Sequence, residues 1–299
     1  MTSEDTAQAK LPDDMDWSPG SATSLLRTII GMSLRRLGGW IAVADLITLM
    51  RALDVSDARA RNALTRIKAK GLLEPAARGR TQGYQLTEAA RPMLARADQR
   101  IYAPRFMDDD DRWCLIAYSV PEEQRDLRHQ LRRRLSWIGC GNVSPALWIC
   151  PGYLVDEVQE ILADLGLNAR ATVFLANEIR GDKPPQVAVA LWWDLDAIRA
   201  LHDDFLAAHA AAVEALGPRP DGHRAFATYI RGMDAWRPIP YLDPGLPGWL
   251  LSDDWPARRS IPVFTELRDR VAPHAHAYVE QVTGQRRPDP PGTARGGAG

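Results

Sequence analysis

The chain has 299 residues, of which 45% are hydrophobic and 25% are charged. These values are typical of globular proteins and exclude a disordered or fibrous chain, and the length predicts two or three domains. No run of about 18 apolar residues and no secretory signal occurs, and the three cysteines lack CxxC spacing. We therefore expect a cytoplasmic protein with no membrane span, no disulfide scaffold and no zinc module.

The net charge of −1 hides a strong segregation of charge along the sequence. Residues 24–106 carry 15 Lys and Arg against six Asp and Glu, which gives this region a net charge of +9. The residues before and after it are both net acidic, at −4 and −6. A basic region within an otherwise acidic protein is typical of a nucleic-acid-binding module.

The basic region is predicted to form three helices followed by a β-hairpin. The predicted elements are helices at 24–37 (N-cap Ser24), 43–53 and 57–70, and strands at 72–77 and 84–87. This order is that of a winged helix-turn-helix, which we place at 23–88 after a disordered tail at 1–22. The third helix has a buried stripe of Ala60, Ala63, Leu64 and Ile67.

The central part of the chain follows a different pattern. A linker helix and an acidic loop at 89–111 precede a region at 112–192 that alternates strands and helices. The strands are predicted at 112–120, 141–144, 146–150 and 171–179, the helices at 121–139 and 152–166, and a linker with an apolar segment at 181–193. The order β-α-β-β-α-β predicts a ferredoxin-like domain, so the fold class is α+β.

The C-terminal part is predicted to be mostly helical. A long helix at 194–216, capped by Asp194, precedes further helical stretches and a proline-rich loop at 238–256. We expect residues 193–283 to form a helical domain with the effector site and dimer contacts. Residues 284–299 have no apolar content and are expected to be disordered.

Several short stretches stand in a characteristic order between residues 24 and 281. They are ARNALTRI at 60–67 with GLL at 71–73, RGR at 78–80 with YQLT at 84–87, RIY at 100–102 with RW at 112–113, and DPGLP at 243–247 with LL at 250–251 and DWP at 254–256. With these stretches the chain resembles the PaaX family of bacterial transcriptional repressors, which is named for the phenylacetic-acid degradation operon.

The resemblance implies a winged helix, a central ferredoxin-like domain related to small CRISPR-associated nucleases, and a C-terminal helical domain. It also implies a homodimer that binds a double-stranded DNA operator, represses a catabolic operon and is released by an aryl-CoA thioester. Phenylacetyl-CoA is the effector of the founding members, whereas relatives respond to other aromatic or heterocyclic catabolites. Nothing in the sequence fixes the effector, the operator or the dimer surface.

The winged-helix context makes the face of the third helix opposite the buried stripe a candidate for DNA contact. A helix fits the major groove, where Arg pairs with guanine and Asn with adenine. Arginines on either side of Gly79 in the hairpin turn are suited to the minor groove or to phosphate. The predicted DNA-binding residues are Arg59, Arg61, Asn62, Thr65, Arg66, Lys70, Arg78 and Arg80. The alternative is a solvated surface, and the sequence does not tell which side chains read bases.

Two further groups of residues have open interpretations. The helix at 121–139 carries Arg125, Arg128, Arg132, Arg133 and Arg134. Three interpretations of these arginines are open: they extend the surface that contacts DNA, they bind the phosphates of a CoA effector, or they form a solvated face. An aromatic effector needs an apolar pocket with polar anchors, for which we predict Trp236, Arg237 and Tyr241 beside the DPGLP loop. The alternative for these aromatic residues is hydrophobic core.

Enzymatic alternatives have less support in the sequence. A metal-dependent nuclease built on the ferredoxin-like domain would need an acid at the end of its first strand, but residues 117–120 contain no carboxylate. A CoA-ester-processing enzyme with a vestigial winged helix would need a nucleophile–base motif, and none occurs. We therefore predict a protein that is not an enzyme, with no catalytic residues, no metal and no cofactor.

Overall fold

The computed structural model describes residues 18–284 and confirms the α+β fold class. The chain divides into two compact units. Of the described residues, the first unit contains 18–94, 213–234 and 266–284, and the second contains 95–212 and 235–265. Each unit combines segments that are distant in the sequence. Most of the disordered tails predicted at 1–22 and 284–299 lie outside the described residues, whereas Ser21 and Ala22 are the N-cap and the first residue of α1.

Three helices come first in the chain, as predicted. They are α1 (Ala22–Ile29), which continues as a π-helical turn over Ile30–Leu34, α2 (Val43–Arg51) and α3 (Asp57–Ala69). The prediction of Ser24 as the N-cap of α1 is wrong. Ser21 is the N-cap, because its hydroxyl accepts a hydrogen bond from the amide of Ser24 at 3.2 Å. Ser24 lies inside the first turn, and its hydroxyl donates to Asp234 at 2.5 Å.

A three-stranded antiparallel sheet completes the N-terminal part of the first unit. Its strands are β1 (Trp40–Ala42), β2 (Leu73–Arg78) and β3 (Thr81–Leu86), in the order β1-β3-β2. The hairpin was predicted, whereas β1 was not. Gly83 lets β1 pair with β3, because a Cβ atom at this position would lie 2.4 Å from the Trp40 ring.

The chain then passes through α4 into a four-stranded antiparallel sheet that lies in the second unit. The elements are α4 (Ala90–Tyr102), β4 (Trp113–Tyr118), α5 (Arg125–Trp137), β5 (Gly141–Ser144), β6 (Leu147–Pro151), α6 (Val155–Asp164) and β7 (Ala171–Ala176). The strand order is β5-β6-β4-β7, so the two strands that are central in the sheet are the first and third in the chain.

Each face of this sheet packs against a different apolar cluster. One cluster joins Cys114, Ile116 and Cys150 of the sheet to Leu131 and Leu162 of the helices α5 and α6. The other cluster covers Ile149 with side chains from later in the chain, among them Val189, Trp193 and Trp255. The sheet is therefore buried on both faces in its central strands.

The rest of the chain is helical. Its helices are α7 (Pro185–Trp192), α8 (Leu195–Glu214), α9 (Gly222–Trp236), α10 (Ile239–Leu242), α11 (Ala257–Glu266) and α12 (Ala272–Thr283). The linker predicted at 181–193 is wrong in part, because α7 occupies most of it. Asp194 caps α8 as predicted, accepting from the amide of Ala197 at 3.0 Å. None of the helices between residues 18 and 284 is long and apolar enough to cross a membrane.

Candidate nucleic-acid interface

Helix α3 has one buried side and one exposed polar side. The predicted stripe of Ala60, Ala63, Leu64 and Ile67 is buried. The predicted side chains on the other side are all exposed; they are Arg59, Arg61, Asn62, Thr65 and Arg66. Because buried and exposed residues separate at helical spacing, the polar side chains share one solvent-facing surface. We name this surface of five residues the basic face of α3.

An ion-pair cluster lies at the start of α3. The Asp57 carboxylate accepts two hydrogen bonds from Arg51, at 2.7 and 2.6 Å, and lies 3.8 Å from the guanidinium of Arg61. The hydrogen bonding from Arg51 lowers the pKa of Asp57 below its usual value. Asp57 also sits in the first turn, where a negative charge is favoured. Asp57 thus partly offsets the positive charge of Arg61 on the basic face of α3.

The hairpin turn presents two arginines in different settings. Arg78 places its guanidinium 4.7 Å from the centroid of the Trp40 ring, and the Trp40 indole donates to the Ala76 carbonyl at 2.9 Å. Arg80 is exposed next to Gly79, whose φ of +59° gives the turn its left-handed backbone. Arg78 is therefore supported by an aromatic platform that belongs to β1, the strand that the sequence analysis missed.

The end of α3 adjoins the hairpin. Lys68 places its ammonium 5.5 Å from the centroid of the Tyr84 ring on β3. Lys70, the last predicted DNA-binding residue of this helix, is the C-cap of α3 and is partly exposed. The predicted residues of the helix and of the hairpin thus belong to adjoining elements of one compact unit.

Trp236, predicted to line an effector site, is part of the core of the second unit. It is 1% exposed and stacks on Phe264 with a centroid distance of 4.2 Å and an interplanar angle of 9°. Its indole donates to the Ile101 carbonyl at 3.1 Å. The Trp236 ring is thus enclosed by core side chains.

The other two predicted effector residues are less buried. Tyr241 is partly exposed, stacks on Trp137 at 5.8 Å, and lies under the guanidinium of Arg100 at 4.8 Å. Arg237 is also partly exposed. Arg100 donates to the carbonyls of Pro240 and Ile138 at 2.9 and 2.6 Å, and these two residues neighbour Tyr241 and its stacking partner Trp137 in the sequence.

The arginine-rich helix α5 has an exposed depression of about 390 Å³ on its surface. Arg125, Asp126, Arg128, His129 and Arg132 line it. Within this set, Arg128 pairs with the preceding acid Glu122 at 2.6 Å. The helix carries five arginines and one aspartate, so it is strongly cationic. Whether the arginines meet DNA, an effector phosphate or solvent stays a prediction.

Sequence reasoning missed a buried serine–histidine–aspartate set in the second unit. His202 lies with Nδ1 2.7 Å from the Ser260 hydroxyl and Nε2 2.9 Å from the Asp243 carboxylate. His202 is 1% exposed and Ser260 is fully buried, so no substrate reaches the hydroxyl. The other Asp243 oxygen accepts from the Gly245 amide at 2.8 Å. The set therefore fastens the DPGLP loop; its members are 41 and 58 residues from His202, a separation that no local motif reveals.

Within the part of the chain that the structure describes, no three His, Cys, Asp or Glu side chains are grouped so that they could hold a metal ion. The cysteines Cys114, Cys140 and Cys150 are buried. Contact with the Cys150 thiol, and secondarily burial, raises the pKa of Cys114. For Cys150, the Cys114 thiol lowers the pKa, but the Cys140 thiol and burial together raise it well above its usual value.

Three family models match successive parts of the chain. They are described as "PaaX-like protein" at residues 21–90, "PaaX protein central Cas2-like domain" at 107–188 and "PaaX-like protein C-terminal domain" at 193–281. The chain is 26% identical over 277 residues to the transcriptional repressor PaaX of Escherichia coli. This match covers 88% of the chain and 84% of the Escherichia coli protein.

A solved structure shares the fold. The uncharacterized protein Rv0674 from Mycobacterium tuberculosis matches with a TM-score of 0.54 and 21% sequence identity, over 88% of this chain and 99% of the other. The sequence match and the structure match thus both extend over most of the chain.

Proposed function

The chain belongs to the PaaX family, and from this premise we propose that it is a transcriptional repressor that binds a specific double-stranded DNA operator. The observation that carries the proposal is the basic face of α3, whose exposed side chains Arg59, Asn62 and Arg66 stand opposite a buried apolar stripe. Helix α3 acts as the recognition helix of a winged helix-turn-helix that spans 23–88. The hairpin of β2 and β3 is its wing.

The chemistry of each group suits a different part of DNA. The guanidinium of an arginine forms two hydrogen bonds with guanine, and the asparagine amide forms two with adenine, in the major groove. Arg78 and Arg80 at the wing are placed to contact phosphate or enter the minor groove. Each phosphate that a cation neutralises releases counterions, so DNA binding weakens as the salt concentration rises.

The proposal extends to regulation. We propose that the repressor is a homodimer that controls an aromatic-compound catabolic operon and is released by a small-molecule effector, with an aryl-CoA thioester such as phenylacetyl-CoA as the first candidate. Two recognition helices in one dimer contact half-sites in successive major grooves. The effector lowers occupancy of the operator by binding the DNA-incompetent state more tightly, and its effect is limited by that difference in affinity.

The central β4-to-β7 region is proposed to be a ferredoxin-like domain on the basis of its β-α-β-β-α-β order and the strand order β5-β6-β4-β7. The nuclease alternative for this domain is not favoured, because the matched relative is named as a repressor.

Arg237 and Tyr241 are proposed to contact the effector directly. Trp236 is proposed to form the floor of the effector site, which opens when Phe264 moves.

The experiment is an anisotropy titration of the protein against its own upstream DNA, with and without phenylacetyl-CoA. We expect a complex that survives competition by random-sequence DNA and dissociates when the thioester is added. A specific complex that is unaffected by the thioester would support the repressor function and exclude phenylacetyl-CoA as the effector. No binding to this region, followed by cleavage of DNA in the presence of Mg²⁺ or Mn²⁺, would overturn the proposal in favour of the nuclease.

A further inference from the structure

Helix α9 sends two polar side chains, one turn apart, to the N-terminal helices. The carboxylate of Asp234 contacts the start of α1, and the guanidinium of Arg231 contacts the turn between α2 and α3. All these residues belong to the first unit. More than 170 residues separate each pair in the sequence, so these contacts join the C-terminal part of the chain to the helices that carry the proposed DNA-binding surface.

Asp234 is a buried carboxylate whose hydrogen bonds are made to the start of α1. It is 1% exposed and accepts from the Ser24 hydroxyl at 2.5 Å, the Thr28 hydroxyl at 2.9 Å and the Gly20 amide at 2.9 Å. Charge-assisted hydrogen bonds of this kind are stronger than neutral ones, and burial makes their loss costly. Asp234 thus fixes the position of α1 along two of its turns, and α1 packs directly on α3.

Arg231 contacts the turn that follows α2. It donates to the Leu53 carbonyl at 3.1 Å and to the Asp54 carboxylate at 2.7 Å. Asp54 has a φ of +62°, and within residues 18–284 no other residue besides glycines has a positive φ. Aspartate is one of the residues that adopt this conformation most readily, and the amides of Asp54 and Val55 donate to the carbonyls of Arg51 and Met50 at 2.9 and 3.1 Å, which closes the end of α2. This turn sets the direction in which α3 leaves α2.

The same helix continues beyond the first unit. Residues 222–234 of α9 belong to the first unit, whereas its last residues, Ala235 and Trp236, belong to the second. A helix is stiff over this length because each turn is held by backbone hydrogen bonds. Arg231, Asp234 and Trp236 thus lie within two turns of one helix.

We propose that α9 is a brace that sets the orientation of the recognition helix, with Arg231 and Asp234 as its two positioning residues. The inference rests on the proposed DNA-binding function and adds the element through which that function is regulated. With both contacts made, α1 and the α2–α3 turn hold the basic face of α3 in the DNA-competent arrangement. When α9 shifts, both contacts break together, the Asp54 turn relaxes and DNA affinity falls. An effector controls the repressor to the extent that it binds the released state more tightly.

The test compares two brace variants with a matched control in the same unit. The variants are Asp234→Asn and Arg231→Met; Arg231 is 44% exposed, so its replacement leaves the core intact. The control is Arg270→Met, because Arg270 donates to the carbonyls of Val213 and Gly217, which lie outside the N-terminal helices. Each full-length protein is studied by hydrogen exchange and by titration with a 30-base-pair random-sequence duplex at low salt.

We expect amide exchange at residues 52–69 to become about tenfold faster in both brace variants and to stay unchanged in the control. We expect the affinity for the duplex to fall about tenfold in the brace variants and to stay unchanged in the control. The control should keep its affinity even where its thermal stability has fallen as much as that of the brace variants. Exchange and affinity equal to those of the control would overturn the brace. Failure of the unmodified protein to bind DNA would instead overturn the proposed function, while the exchange experiment still decides whether α9 holds the α2–α3 turn.

Discussion

Helix α3 and the aromatic cluster around Trp236 carry the two proposed binding surfaces, and they are built in opposite ways. On α3, the cationic and amide side chains are exposed, and the residues beneath them are small or aliphatic and fully packed. Around Trp236, the ring is 1% exposed, covered by Phe264, and its indole is already hydrogen bonded.

The difference separates a surface that is ready to bind from one that must first rearrange. A DNA phosphate would meet the guanidinium groups of α3 without displacing a core side chain, so its binding would require no change in packing. A ligand at Trp236 must displace an aromatic ring from the core, so its binding is coupled to a change in packing. The first surface suits recognition, and the second suits a switch.

The largest effect that tests this comparison is on stability. Replacing Trp236 by Ala removes a fully buried ring, and we expect the free energy of unfolding to fall by about 3–5 kcal/mol. The control is Trp249→Ala, because Trp249 is 52% exposed and its loss is expected to cost less than about 1 kcal/mol. Urea unfolding measures both. Equal small losses would mean that the cluster is loosely packed and open to ligand without rearrangement.

The next effect is on DNA binding without a change in stability. We expect Arg59→Ala with Arg66→Ala to weaken operator binding about 100-fold, since each lost arginine contact costs roughly 1–3 kcal/mol. Both side chains are exposed, so the unfolding midpoint should stay close to that of the unmodified protein. Arg180→Ala with Arg219→Ala removes the same charge from exposed sites elsewhere and should leave binding within about threefold. A similar loss in both double variants would point to overall charge rather than to the basic face of α3.

A third effect tests whether side chains on the packed side of the first unit are shielded from water, in contrast to the exposed basic face of α3. Burial, and secondarily the charge of Arg36, lowers the pKa of His276 from 6.5 to about 4. Between these values the unfolded chain binds a proton that the folded chain does not, so stability is full above pH 6.5 and falls as the pH drops toward 4. We expect a loss of roughly 1 kcal/mol per pH unit, measured by urea unfolding at several pH values. His276→Gln should flatten this dependence, and an equally steep decline in that variant would assign it to other groups.

The smallest effect concerns the wing. Arg78 rests on Trp40, whereas Arg80 is exposed beside a glycine, so Arg78 loses less freedom when it contacts DNA. We expect Arg78→Ala to weaken operator binding several-fold, about 1 kcal/mol, and Arg80→Ala to have a smaller effect. Anisotropy titrations at one salt concentration are sufficient. A larger effect of Arg80 would mean that the wing tip, rather than the supported arginine, makes the main contact.

How far the sequence predicts this molecule depends on whether the information is local. The buried stripe of α3 and the cap at Asp194 were predicted correctly, because side chains three and four residues apart on one helix carry the pattern. Strand β1 was missed because three residues are too few for periodicity and the strand exists only through its pairing with β3. Ser24 was taken for a cap because it precedes an apolar stretch, whereas its hydroxyl serves a carboxylate 210 residues away.

The same limit applies to the candidate sites. The residues of α3 could be named from the sequence because the direction of an exposed side chain follows from the helix itself. Neither the brace residues Arg231 and Asp234 nor the buried set at His202 could be named, because their partners are chosen by the tertiary fold. The aromatic residues beside the DPGLP loop predicted an apolar region, but the sequence could not tell a filled core from an open pocket.

The most direct test of the account measures DNA affinity as a function of salt concentration for the unmodified protein and for Arg59→Ala with Arg66→Ala. We predict a steep linear fall of log affinity with log salt, by about 0.9 for each phosphate that the protein neutralises. In the double variant the magnitude of this slope should be smaller by about two, one for each lost phosphate contact, while Arg180→Ala with Arg219→Ala keeps the original slope. A shallow slope in the unmodified protein, or a slope that the α3 variant leaves unchanged, would contradict the assignment of α3 as the DNA-binding element.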